Sequence, residues 1–138
     1  PDAEALIGAW LRDHPDITAL DARVAGRTPD TLTRPWVRVT QLDATPINRS
    51  ALDYAIDFTI QLDCYAGSDA MSVFNGQAEA SLLARTARAV LKAIEGTAAD
   101  GVTVSRVRFA THLRAPDTML EPARERVILV AEILLHPA

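Results

Sequence analysis

The chain has 138 residues, enough for one domain (1–138) with a real core, and its 49% apolar and 23% charged residues describe a globular protein rather than a disordered one. A formal charge of −4 argues against a dedicated nucleic-acid binder, which carries a basic surplus. Cys64 is the only cysteine, which excludes an internal disulfide and suits a reducing compartment; no apolar run is long enough for a membrane span, and no basic segment leads into an apolar run as in a signal peptide.

The first element is "DAEALIGAWLRDH", where Leu6, Ile7, Trp10 and Leu11 share one side of a helix, Asp2 can cap it and Glu4 suits its first turn. His14–Pro15 should end this helix, since the residue before proline is pushed out of the α region. Asp16 can start one more turn that buries Ile17 and Leu20. "RVAGRTPDTLTRP", Arg23 to Pro35, reads as a long surface loop. "WVRVTQL", Trp36 to Leu42, is a β-branched strand, and "DATPINRS" returns to turn chemistry. From Tyr54 to Cys64 apolar and other residues alternate strictly, the mark of a strand with one buried face.

After Gly67 comes the longest helical pattern, closed by Gly96 as a left-handed cap. Val73, Gly76, Ala80, Leu83, Ala84, Ala87, Val90, Leu91 and Ile94 form one stripe, with small residues that let the helix approach a sheet. Met71, Phe74, Ala78 and Leu82 form a second apolar line, covered either by the first helix or by another subunit. Val102 to Leu113 is the third strand, with a phase slip between Val104 and Val107 that suggests a bulge. Arg114 to Glu125 reads as a second long loop. Arg126 to His136 is apolar on both faces except Glu132, so it should be central in its sheet. The expected fold is α+β: a mainly antiparallel four-stranded sheet, two helices on one face, order α-β-β-α-β-β.

The candidates for chemistry are sparse. Asp57 and Asp63 share the polar face of their strand, but ~20 Å of strand separates them, too far for a shared metal or an acid–base pair. That face is either solvated or set against another subunit. Cys64 falls in the buried phase and reads as a small hydrophobe. His14, His112 and His136 are scattered, whereas a metal site needs clustered ligands. Gly67–Ser68 before a helix lacks the lysine of a phosphate loop, and Asp69 would repel an anion. Arg106, Arg108 and Arg114, with His112, share one strand parity; they form a solvated basic face, meet phosphates, or pair with Asp57 and Asp63. No nucleophile elbow or dinucleotide fingerprint is present.

The order of these elements, with "RVAGRTP", "RPWVRVTQLD", "FTIQLDCYAG", the Ala-rich helix and "RAPDTMLEPARERVILVAEILL", resembles the tail terminator (tail completion) proteins of long-tailed bacteriophages over almost the whole chain. The resemblance implies a non-enzymatic virion protein without cofactor or metal. It implies a homo-oligomeric, typically hexameric ring at the head-proximal end of the tail tube, assembled in the host cytoplasm. Such a ring stops tube growth and joins the tail to the head. Its partners would be the tail tube protein and a head-completion or stopper protein, with DNA passing through unread and no membrane involved. A ring needs two different patches on each subunit. The candidates are Met71, Phe74, Ala78 and Leu82 on the long helix, and Asp57, Asp63, Arg106 and Arg108 on the strands. Arg27, Arg34, Arg49, Arg114, Glu121 and Arg124 are the loop residues placed to meet neighbouring virion proteins. The alternatives are another neck protein, such as a head–tail connector or stopper, and a small ligand-binding α+β dimer.

Overall fold

The computed structural model describes residues 3–26, 34–46, 56–67, 73–99, 101–118 and 124–137. Helix α1 (Ala3–Asp13) turns Leu6, Ile7 and Leu11 inward and leaves Arg12 and Asp13 in water. His14 ends it as expected, extended before Pro15, and its Nδ1 accepts the Asp16 amide at 3.2 Å. The histidine thereby caps the short helix α2 (Pro15–Ala19), which buries Ile17. Strand β1 (Arg23–Ala25) runs parallel to β2 (Trp36–Pro46), which pairs antiparallel with β3 (Ile56–Tyr65). Helix α3 (Val73–Lys92) follows, and Gly96 (φ 82°) takes the left-handed conformation beyond it. The two-residue strand β4 (Ala98–Ala99) then leads to β5 (Val102–Arg114) and β6 (Arg126–Pro137).

The sheet order is β1-β2-β3-β6-β5-β4. The α+β class stands, but the expected mainly antiparallel sheet of four strands with two helices does not. Among the described residues the sheet has five strands extended by the two-residue β4, it is mixed because β1 and β2 are parallel, and three helices accompany it. The stretch read as loop contains β1. Three residues are too short to show a period, and only Val24 of them is buried.

Alternation then decides what is inside. Val37 and Val39 on β2, Phe58, Ile60, Leu62 and Cys64 on β3, and Val127, Leu129, Ala131, Ile133 and Leu135 on β6 all point to one face. The helices cover that face: Ile7, Leu11 and Ile17 join Ala80, Leu83, Ala84, Ala87, Val90, Leu91 and Ile94 in the same core. Each such Leu or Ile contributes about 1.5–3 kcal/mol by leaving water. The alanines keep α3 low over β3 and β6, and the Trp10 indole ties α1 to it by donating to the Val90 carbonyl at 2.7 Å. Close approach also explains Gly67, where a Cβ would sit 2.6 Å from the Arg34 carbonyl carbon. Strand β6 lies between β3 and β5, as its apolar faces require, and β5 bulges between Val104 and Arg106, within the expected interval.

Candidate functional site

Residues paired across strands point the same way, so the register identifies the sheet face that no described helix covers. Trp36, Arg38 and Thr40 on β2 stand beside Tyr65, Asp63 and Gln61 on β3 and Arg126, Ile128 and Val130 on β6. Farther along lie Thr59 and Asp57, then Glu132 and Leu134, with Arg108 and Arg106 of β5 opposite them.

One end of this face is a closed polar knot. Trp36 and Tyr65 stack with centroids 4.3 Å apart and planes 11° from parallel, both fully buried. Asp63 is buried beside them. Its Oδ2 accepts from Arg38 Nε at 3.1 Å and Nη2 at 3.0 Å, and its Oδ1 accepts from Gln61 Nε2 at 2.9 Å. Arg126 adds a second cation, 4.0 Å from Asp63 and 3.6 Å from Asp117. The Tyr65 hydroxyl donates to Asp117 Oδ2 at 3.0 Å. Burial foremost raises the Tyr65 pKa, so the phenol stays a neutral donor. Asp117 and Arg124 bridge each other, so the knot pins the base of the β5–β6 connection to the sheet. Two aspartates against two arginines in good hydrogen-bonding geometry suit a fixed structural joint. Asp63 is therefore not a solvated residue. Its partners are Arg38 and Arg126 rather than Arg106 or Arg108.

The middle of the face is different. Arg108 contacts Glu132 through two nitrogens, with Nε at 3.0 Å from Oε2, and its pKa is raised by Glu132 foremost, with Asp57 adding to the field. Around this pair Ile128, Val130 and Leu134 are only half-buried, and Leu113 is 53% exposed. Strand β6 thus has the two apolar faces of a strand covered on both sides, while the helices cover one.

The other expected residues scatter. Arg106 is exposed, but His112 and Arg114 do not share its face: a second bulge, between Phe109 and Thr111, turns them toward the helices. Arg114 there holds Glu125 at 2.9 Å, and Arg34 holds Asp21 at 3.2 Å. Arg124 is 94% withdrawn from water rather than free on a loop, being only 6% exposed. Ala78 and Leu82 on α3 are exposed, so α1 does not cover them. Met71, Arg27, Arg49, Glu121 and the side chain of Phe74 lie outside the described residues. Sequence reasoning missed Trp36, Arg38, Tyr65, Asp117 and Arg126 as a unit. Parity puts Arg38 and Asp63 on polar faces of consecutive strands, and that signal was available.

Cys64 faces the helices, where burial pushes its thiol pKa far up and leaves it inert. Among the described residues no group of His, Cys, Asp and Glu is arranged to hold a metal, and no helix is long and apolar enough to cross a membrane. A model of the family described as "Tail completion protein gp17" matches residues 5–133 of the chain. No curated protein matches it.

Proposed function

The chain belongs to the tail completion protein gp17 family of structural bacteriophage tail proteins, and from that premise we propose that it is a non-catalytic ring subunit that caps the head-proximal end of the tail tube. The observation that carries this reading is the side of β6 that no described helix covers. Ile128, Val130 and Leu134 are only partly buried in the middle of a sheet face bearing the Arg108–Glu132 pair, with Asp57 nearby. An apolar strip rimmed by charge is the usual composition of a protein contact.

A ring contact joins two different patches, which closes a cycle where a symmetric pair would stop at a dimer. The helix-free face supplies one patch. The exposed Ala78–Leu82 side of α3, on the opposite side of the sheet, supplies the other. Placement on opposite sides suits head-to-tail contact, because each subunit can offer one patch to each neighbour. The knot around Asp63 keeps the first patch in shape, and the loops that flank the sheet meet the tube protein and a head-completion or stopper protein. DNA passes through such a ring without base-specific contacts, in keeping with the formal charge of −4. The test is to polymerise tail tube protein with and without this chain and to inspect the tube ends by electron microscopy. Tubes closed by rings at one end support the proposal. Uncapped tubes of unchanged length overturn it.

A further inference from the structure

Beyond the helix-free face, the fold leaves a second opening. Helix α3 lies over β3 and β6, and β4 pairs with β5 only at Thr103 and Val102. The outer edge of β5 beyond that point has no strand beside it among the described residues. A groove of about 570 Å³ runs there between α3 and β5. Its walls carry Arg85, Arg88, Lys92, Arg106 and Arg108, and its floor is Ala89, Val107 and Phe109.

Two of those cations are already engaged. Lys92 Nζ donates to Glu95 Oε2 at 2.8 Å and to the Val107 carbonyl at 2.7 Å, and Arg108 holds Glu132. The other three meet no carboxylate at ion-pair distance among the described residues. Arg85 Nε reaches only the Ser81 carbonyl, at 3.4 Å. Arg88 lies over the Phe109 ring, 4.7 Å from its centroid, with Nη1 3.1 Å from His112 Nδ1. Arg106 is exposed, forms no ion pair among the described residues, and adds to the field at Glu95. In a chain of formal charge −4, three unneutralised guanidiniums in one groove reverse the local sign.

We propose that this groove docks an acidic segment of a partner protein, its carboxylates gripped by Arg85, Arg88 and Arg106 and an apolar side chain resting on Val107 and Phe109. The guanidinium fork matches a carboxylate with two parallel hydrogen bonds. Stacking on Phe109 holds the Arg88 fork in place before the ligand arrives, which lowers the entropy lost on binding. A nucleic-acid backbone is the poorer occupant. The groove holds a few side chains rather than a duplex, and the net negative charge of the chain repels a long polyanion. The apolar floor has a counterpart in a peptide and none in a phosphate chain.

The test is fluorescence anisotropy with a labelled peptide of alternating aspartate and leucine, at about 0.15 M salt. The full chain should bind it. Arg88→Glu with Arg106→Glu should weaken binding at least about tenfold, the scale of one lost charge-assisted pair. Arg106→Gln alone, a milder change at an exposed site, should weaken it less and keep the thermal midpoint of the parent. Ile128→Ser, in the same helix-free strip but six residues along β6 from the Leu134 that faces Arg106, should bind the peptide like the parent, which separates this proposal from the ring reading. Unchanged peptide affinity in the Arg→Glu variant overturns the proposal. So does loss of binding in Ile128→Ser, or displacement of the peptide by an equal concentration of duplex DNA.

Discussion

At the scale of single residues, Asp63 organises the polar end of the sheet. It balances Arg38 and Arg126 while fully buried, and those arginines in turn hold Tyr65 and Asp117 in place. Asp63→Ala should cost about 2–3 kcal/mol in urea unfolding, below the range for a fully buried pair because Arg38 can turn toward water. A loss under ~0.5 kcal/mol would show that the knot is incidental. Glu95 offers a separate check by pH. The hydrogen bond from Lys92 foremost, then the Val107 amide at 2.7 Å, holds its carboxyl pKa below the ordinary value. A carboxyl with a lowered folded pKa binds its proton less readily folded than unfolded. Its contribution is complete above the unfolded pKa and is lost as pH falls through the folded one. Glu95→Gln should therefore lower neutral-pH stability by at most about 1 kcal/mol, given how exposed the pair is. The deficit should shrink on acidification below about pH 4. A deficit that stays constant with pH contradicts this role.

At the scale of elements, β6 and α3 each carry a face that no described element covers. Leu134→Asp should block assembly, read as the loss of high-mass species by light scattering, while lowering monomer stability by only about 1 kcal/mol, because the side chain is half-buried. Leu82→Asp should weaken assembly with stability unchanged within about 0.5 kcal/mol, as Leu82 is 44% exposed. A collapse of the monomer in either variant would return that residue to the core. The buried stripe of α3, the Gly96 stop, the interior position of β6 and the first β5 bulge were all legible, because each leaves a local pattern: helical spacing, a glycine, a two-faced apolar run, a slipped alternation. Strand β1 was not, since three residues show no period. The second β5 bulge passed unnoticed because Ala110 fits either phase, and missing it put His112 and Arg114 on the wrong face. Asp63 sat on the polar phase of β3, but its burial depends on Arg126 and Asp117, more than fifty positions away in the chain for the Tyr65–Asp117 bond (52).

At the scale of the whole molecule, family membership fixes a structural role in the tail, and the open faces give that role a form. The helices shield one side of the sheet, and no described element covers the other side or the outer wall of α3, which are the two surfaces the proposed ring would use. The proposed head-to-tail contact gives a closed cycle when the rotation between neighbours closes, and a ring of the width of the tube would then end its growth. The most direct measurement is electron microscopy of tail tube protein polymerised in the presence of this chain. The expected result is tubes ending in a ring of this protein, with shorter tubes as its concentration rises and no rings from Leu134→Asp. Tubes that grow to the same length with bare ends, alongside a chain that stays monomeric, would contradict it.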